Sequence, residues 1–497
     1  MVQQTLPMSS HLVIVGFGPV SGYKYSRCIR AALQSGAIAG YSVVDLESQR
    51  DAVQRRVASL PAQPIHTVFV PGADVRDDPE AALSHVAPFL KDRANEGAGT
   101  LKVVIATEPQ AHESYLRHCM LAGYDTLTTK PLLVPMRDGV FDGGSIYQRT
   151  KDLLACANGG KGQHSLIVLD RHHGIYEKRI RSQLAVMMER LNVPITSVNL
   201  KTASGVWNLP YEYALREDHP YKYGYGMLMH GSYHYVDLVT RLLQMNRRMY
   251  ADDELCLRVS GFSAFPSDQA KRLPLGILNR LDNCPEHMAS FDPGFPYGET
   301  DVVASFALCF RRSRATLCLG TIALEQTTPG MRSWGAFPEV PYNVNGRLHC
   351  TDVDVRLGTL FSVNGHVVKV PISSRKSQSD LRGKNIGIVT SRSNALVTGT
   401  QDFLSEERIT QPYGNSFSYA AESALFQDWI DGKRTYSNLD SHLATAAMTD
   451  ALARVVQSNG ETIEIDFDFE EPEWPPITYI SNAVVSEGRA MQFSAYR

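Results

Sequence analysis

Over the first 170 residues, short apolar runs alternate with longer stretches that place apolar residues at helical spacing. His11-Leu-Val-Ile-Val15, Tyr41-Ser-Val-Val-Asp45, Ile65–Val70 and Leu101–Ala106 are short and rich in Val and Ile, the pattern of strands buried on both faces. A stretch containing RCIRAALQSG separates the first two, and a charged, helix-like stretch separates the last two. Alternating strands and helices imply a parallel sheet. The pattern changes in the second half. RIRSQLAVMMERL (179–191) carries Ile180, Leu184, Met187, Met188 and Leu191 at helical spacing, and SVNLKTASGVW reads as a strand. Asp301–Phe310, a charged turn and ATLCLGTI make a hairpin, and FSVNGHVVKV predicts a second one turning at Asn364-Gly365. Pairs joined this way suit an antiparallel sheet with one solvated face.

The first strand runs directly into GFGPVSG. Gly16 permits a tight turn and Gly18 a close backbone approach, the order in which a dinucleotide fold rests a pyrophosphate on a helix N-terminus. The third glycine position holds Ser21, followed by Gly22, and alone the pattern is equally a plain strand-to-helix turn. Asp45 ends the next strand, where a carboxylate accepts from ribose hydroxyls and repels a 2′-phosphate. This favours NAD(H) as cofactor, with NADP(H) left open by Arg50 nearby.

The 497 residues exceed what one hydrophobic core usually fills, so two domains are expected. A net charge of −3 gives no electrostatic reason for a nucleic acid or an anionic membrane as partner, which leaves a small molecule. No run approaches the ~20 apolar residues of a membrane helix, and the first apolar run lacks the features of a signal peptide. A cytoplasmic protein is expected. The eight cysteines are scattered without a Cys-x-x-Cys pair and read as reduced, mostly buried thiols.

Further motifs follow the fourth strand: Thr107-Glu-Pro-Gln-Ala-His112, a helix-like stretch closing on Leu121-Ala-Gly123, and Thr128-Thr-Lys130-Pro131. In sequence and spacing these resemble the Gfo/Idh/MocA family, whose signature is Thr-Pro-Asn-x-x-His, Ala-Gly and Glu-Lys-Pro. The likeness extends through GYGMLMHGSYHYVDL, similar to that family's histidine helix, and through AESALFQDWIDGKR near the end. The resemblance implies an α/β fold: an N-terminal Rossmann dinucleotide-binding domain (1–173) and a C-terminal substrate-binding α/β domain (174–497) with a large open, mostly antiparallel sheet. Stretches near 262–298 and 370–415 stand outside it as inserts. It further implies a homodimer or homotetramer. Gly16, Phe17, Gly18, Asp45, Thr107, Pro109, His112 and Lys130 are the candidate cofactor contacts. The implied activity is NAD(H)-dependent oxidation or reduction at a hydroxyl or keto group of a sugar, cyclitol or nucleotide-linked sugar.

His230-Gly-Ser-Tyr-His234-Tyr-Val-Asp237 poses the sharpest question. In one helix its two imidazoles and its carboxylate would share a face. A hydrolytic zinc helix needs Glu directly after the first His, where Gly231 stands, so no metal is expected, although His172-His173 could complete a shell. Hydrogen-bonded polar residues on a half-buried helix are the plain alternative. The third reading is proton transfer coupled to hydride transfer. By resemblance, His234 stands at the catalytic histidine position and Lys130 at the catalytic lysine, while His230 replaces an Asp and Thr129 a Glu. These departures keep open an NAD-dependent glycoside hydrolase or lyase, and a non-catalytic dinucleotide sensor. Lys222 and Tyr223, in an aromatic stretch before His230, and Arg171 are candidate substrate contacts; a structural ion pair is the alternative for Arg171.

Overall fold

The computed structural model describes residues 10–72, 78–96, 99–157, 162–217, 219–272, 276, 292–329, 349–370, 384–399, 403–412, 416–458 and 460–472. Six parallel strands form the first sheet: β1 (Ser10–Val15), β2 (Ile38–Leu46), β3 (His66–Val70), β4 (Lys102–Ile105), β5 (Asp125–Thr128) and β8 (His164–Leu166), in the order β3-β2-β1-β4-β5-β8. A short ribbon, β6 (Met136–Arg137) with β7 (Val140–Phe141), interrupts the run. Strand order reverses between β1 and β4, so the carboxyl ends of these two strands open a crevice.

The apolar runs are continuous because both faces of this sheet are covered. Val13, Val15, Val103 and Ile105 pack with Val86 and Leu90 of α3 (Pro79–Glu96) and Tyr115 and Leu116 of α4 (His112–Ala122). Leu12, Ile14 and Val104 pack on the other side with Tyr25 and Ile29 of α1 (Pro19–Ser35). That second layer also contains Leu425, Phe426, Trp429 and Ile430, from a helix spanning Phe417–Ile430. Its N-cap, Ser416, accepts the Tyr419 N–H at 3.2 Å, and Phe426 stacks on Tyr25 with ring centroids 5.3 Å apart. The boundary expected at residue 173 therefore divides the chain but not the packing.

The second sheet has nine strands in the order β16-β15-β14-β13-β9-β12-β11-β10-β17. These are β9 (Ser197–Trp207), β10 (Leu255–Ala264), β11 (Asp301–Phe310), β12 (Thr316–Pro329), β13 (His349–Leu357), β14 (Phe361–Lys369), β15 (Lys384–Ser393), β16 (Leu404–Pro412) and β17 (Ile463–Asp466). Only β9 and β12 pair in parallel, as expected of a mostly antiparallel sheet. Alternate residues of β13 are buried, including Val353 and Val355, in the same core as Leu184 and Met188 of α6 (Ser182–Leu191) and Met448 and Leu452 of a helix spanning Leu443–Gln457. The opposite face is open and leaves Phe262, Val303 and Leu319 exposed.

One sequence expectation needs correction. Asn364-Gly365 is no turn: β14 runs straight through it, because Gly365 lets Ile180 approach so closely that a Cβ would stand 2.5 Å from its Cδ1. The stretch 370–415, expected as an insert, supplies β15 and β16 in its described part and widens the sheet. The stretch 262–298 begins inside β10 and continues as a short helix at Pro266–Arg272; residues 273–275 and 277–291 lie outside the described residues. Among the described residues no helix is long and apolar enough to cross a membrane, and seven free cysteines are present.

Candidate functional site

The glycine turn closes as its residues require. Gly16 has φ +86° and donates its N–H to Val44 O at 2.9 Å; a Cβ there would lie 2.5 Å from Ala106 O. Gly18 is the N-cap of α1, and nothing stands within 4 Å of where its Cβ would be. The side chain of Phe17 is buried, but its N–H donates to Asp45 Oδ2 at 2.7 Å, while Leu46 N–H donates to Oδ1 at 2.7 Å. Burial pushes the Asp45 carboxyl above its ordinary pKa, against these two donors and the nearby Arg56 guanidinium. Arg50 lies over the Phe69 ring and pairs with Glu47, so an acid already meets the cation that kept NADP(H) open.

At the end of β4, Pro109 starts a single turn of 3₁₀ helix that leads into α4. The Thr107 hydroxyl, just past the end of β4, is buried with no hydrogen-bond partner among the described residues. His112 holds this loop from behind. Its Nδ1 lies 2.8 Å from Pro131 O and its Nε2 3.1 Å from Thr107 O, and burial lowers its pKa to about 4. His112 is fully buried and touches the backbones of both neighbouring motifs, so it positions the Thr107 and Lys130 turns instead of meeting a ligand itself.

A dinucleotide fits these residues: an open N-cap at Gly18, a carboxylate ending β2 and an unsatisfied hydroxyl ending β4. Gly16, Gly18 and Phe17 would face its phosphates, Asp45 a ribose, and Thr107 and Pro109 the far half.

Lys130 extends from the end of β5 and donates its ammonium to the carbonyl oxygen of His230, one hundred residues on. The polypeptide around His230 is not one helix. A four-residue helix, Met227–His230, stops at Gly231, and a new helix, Tyr233–Gln244, starts after Ser232. The shared face expected for His230, His234 and Asp237 is thereby broken, and the three side chains diverge. His230 Nε2 meets Pro220 O at 3.1 Å, with its ring packed against His219, Tyr221 and Tyr225 at 5.0–5.2 Å. His234 Nδ1 accepts the Leu169 N–H at 3.4 Å. Burial first, then His219 and Lys130, depress the His230 pKa well below its ordinary value.

Lys130 follows β5 and Leu169 follows β8, its neighbour in the register Thr128↔Leu166, so His234 is tied to the chain leaving the strand next to the one that carries Lys130.

Asp237 serves a different purpose. Its Oδ2 accepts Arg171 Nε at 2.9 Å and its Oδ1 accepts Arg171 Nη2 at 2.6 Å, and both side chains are fully buried. Arg171 also donates to Tyr436 O at 2.9 Å and Ser441 O at 3.2 Å. It is the structural ion pair of the two readings, with no face toward a substrate. His173 is engaged within the fold: it stacks on Tyr176 at 4.3 Å and accepts the Ile175 N–H at Nδ1. Among the described residues no group of three His, Cys, Asp or Glu could hold a metal.

Lys222 pairs with Glu217 at 2.5 Å and lies 5.1 Å from the Tyr223 ring, half-buried at the mouth of the loop. Asp218, which opens that stretch, lies outside the described residues. Two contributors escaped the sequence reading. Tyr225 stacks on His230 and accepts Gln110 Nε2 at 3.3 Å, tying the loop after β4 to the histidine turn. Glu299 is buried: its carbonyl accepts Met227 N–H at 2.8 Å and its Oε1 accepts Leu228 N–H at 2.7 Å. Burial pushes its pKa up to about 7 against these N–H donors. Gly226 permits this approach, since a Cβ there would lie 2.0 Å from the Glu299 carbonyl oxygen, but no sequence motif marked Glu299.

No family model and no curated protein sequence matches the chain. Solved structures do. An oxidoreductase from Agrobacterium radiobacter in complex with NAD+, L-tartaric acid and magnesium aligns over 92% of this chain and 98% of its own, with TM-score 0.51 and 10% identity. An oxidoreductase domain protein from Kribbella flavida aligns over 93% and 99%, with TM-score 0.51 and 13% identity. Levoglucosan dehydrogenase in complex with NADH and levoglucosan aligns over 92% and 99%, with TM-score 0.50 and 12% identity. At such identity the likeness is one of fold: a six-stranded parallel sheet joined to a large mixed sheet, over nearly the whole length of both chains.

Proposed function

We propose that the protein is an NAD(H)-dependent oxidoreductase of the Gfo/Idh/MocA type. It acts on a hydroxyl or keto group of a sugar, cyclitol or nucleotide-linked sugar, with Lys130 and His234 as its catalytic pair. The observation that carries this reading is the bond from Lys130 to the His230 carbonyl, which joins the end of the dinucleotide crevice to the histidine turn of the second domain. NAD(H) in complex with two of the structurally similar proteins supports the cofactor, and levoglucosan with one of them the substrate class.

The bound nicotinamide would exchange a hydride with substrate carbon. Lys130 binds the substrate oxygen and stabilises developing alkoxide charge. His234 and His230 handle the accompanying proton. His112 fixes the two turns that deliver Thr107 and Lys130, and Tyr225 with Gln110 closes the crevice on the side of the loop carrying Lys222 and Tyr223. Assembly as a homodimer or homotetramer through the open face of the large sheet, where Phe262 lies opposite Val303, belongs to the same proposal.

The test is titration of the full chain with NADH, followed by fluorescence, and a screen of NAD+ reduction with cyclitols and sugars. Saturable binding with turnover on at least one polyol is expected. No binding sinks the reading; binding without turnover on any of them transfers it to the sensor alternative.

A further inference from the structure

The glycine turn receives a cation that its sequence motif does not include. Arg56 lies in the last turn of α2 (Arg50–Ala58), three residues after the fully buried Val53 and on the same face of the helix. Its stem crosses the first turn of α1, where a Cβ on Gly22 would lie 3.5 Å from Arg56 Cδ and 3.4 Å from the Phe17 ring. At the tip, Nη1 donates to the carbonyl oxygen of Phe17. The N–H of Phe17 donates to Asp45 Oδ2, so one residue of the turn holds the carboxylate by its N–H and the guanidinium by its carbonyl.

Arg56 is half-buried, and among the described residues it enters no ion pair. A guanidinium carries five N–H donors, and the Phe17 carbonyl engages only one of the nitrogens. The others are not shut away from solvent. Asp45 acts on Arg56 through space without bonding to it, because each Asp45 oxygen already accepts a backbone N–H at 2.7 Å, from Phe17 and from Leu46. Those two donors offset part of the negative charge that opposes a second anion at this place. Burial lowers the Arg56 pKa, with Arg55 adding to the effect and Asp45 opposing it. A cation so placed is stabilised by an anion arriving from the crevice, and its planar fork suits a phosphate.

We infer, resting on the oxidoreductase reading above, that Arg56 binds the 2′-phosphate of NADP(H), so that the adenosine ribose subsite takes both dinucleotides. Asp45 receives the free 2′-hydroxyl of NAD(H), and the guanidinium receives the phosphate of NADP(H). Arg50, closer to Asp45 in sequence, is taken up by Glu47 and does not serve. The preference for NAD(H) that Asp45 sets is thereby made shallow, by a residue eleven positions further on that only the packing of α2 against the turn brings back.

The test is fluorescence titration of the full chain with NADH and, separately, with NADPH, at one fixed ionic strength. Both are expected to bind, NADPH within about tenfold of NADH. Adenosine 2′,5′-bisphosphate should displace either one better than adenosine 5′-monophosphate does, a comparison that needs no variant. Arg56→Gln should weaken NADPH by about tenfold or more and NADH by less than about threefold, because a charge-assisted bond to phosphate is lost from the first alone. The bisphosphate should lose its advantage in the same variant. NADH binding with NADPH weaker by more than about tenfold overturns the inference and leaves the oxidoreductase reading standing. Equal weakening of the two by Arg56→Gln also overturns it, since the residue then only braces the Phe17 turn. Binding of neither dinucleotide to a chain with native circular dichroism sinks the oxidoreductase reading, and the inference with it.

Discussion

Arg171 and Asp237 form a two-pronged ion pair with both side chains fully excluded from solvent, at 2.9 and 2.6 Å. Thr445 donates to Asp237 Oδ1 at 2.7 Å, and His442 lies 3.1 Å from Arg171 Nη2. Burial alone would raise the Asp237 carboxyl, but Arg171 foremost, with His442 and Arg241, holds it below the usual carboxylate range. A charge so placed costs most when its partner is removed. Arg171→Met should destabilise the protein by about 3–5 kcal/mol in urea denaturation, and Arg171→Met with Asp237→Leu by clearly less. Equal losses would show that the packing of the arginine stem, not the stranded carboxylate, dominates.

Gly16→Ala should abolish or weaken NADH binding by about tenfold or more while far-ultraviolet circular dichroism stays native. The added methyl meets the Ala106 carbonyl at 2.5 Å, at a φ of +86° that an L side chain tolerates poorly. Fluorescence titration decides it.

Lys130→Met should reduce kcat by about 10²–10⁴ and leave the NADH dissociation constant within about threefold if, as proposed, the ammonium acts on the reacting oxygen. Stopped-flow measurement of NADH formation separates the two quantities. A variant with native kcat removes Lys130 from the chemistry.

Glu299 gives stability a pH dependence of definite sign. Its folded pKa, about 7, lies above the ordinary 4.5, so the favourable protonated state is fully present below 4.5 and its contribution is lost as pH rises toward 7. Glu299→Gln keeps an acceptor for Leu228 N–H and removes the ionisation. The variant's melting temperature should gain on the wild type's between pH 5 and pH 8. A constant difference across that range rejects the buried acid.

His173 acts at the acid end. Burial lowers its pKa to about 3, so the unfolded chain takes up the proton first and wild-type stability falls as pH drops below 6.5. By pH 5 this one ring costs roughly 2 kcal/mol. His173→Phe, placed between Tyr176 and Phe417, should flatten the fall in urea midpoints between pH 7 and 5.

The strands of the first sheet, its glycine turn and the three motifs after β4 were legible because each rests on local chemistry: β-branched runs, a left-handed glycine, a lysine at a strand end. In the second sheet the Asp301–Phe310 hairpin was legible in the same way, while the size of the sheet came through resemblance. Misreadings arose where tertiary contact overrode a local signal. Asn364-Gly365 has the composition of a turn, but the glycine answers to Ile180 across the layer. The spacing of His230, His234 and Asp237 suits a helix, but the chain breaks at Gly231-Ser232 and each side chain follows its own distant partner: Pro220, Leu169 and Arg171. Glu299 precedes an apolar strand and reads as a surface charge, because nothing nearby in sequence reveals the Met227 and Leu228 amides it receives.

The outer edge of β8 is closed from far along the chain. Leu166 N–H donates to Ser437 O at 2.9 Å, and Ser165 meets Thr435 through their hydroxyls at 2.6 Å, while Trp429 and Phe426 fill the layer beneath α1. On the ribosome, the amino-terminal sheet therefore emerges long before its last edge and part of its floor have been synthesised. A nascent chain halted anywhere before about residue 440 carries a raw strand edge and an unfilled apolar slot, so the amino-terminal half is completed last although it is made first.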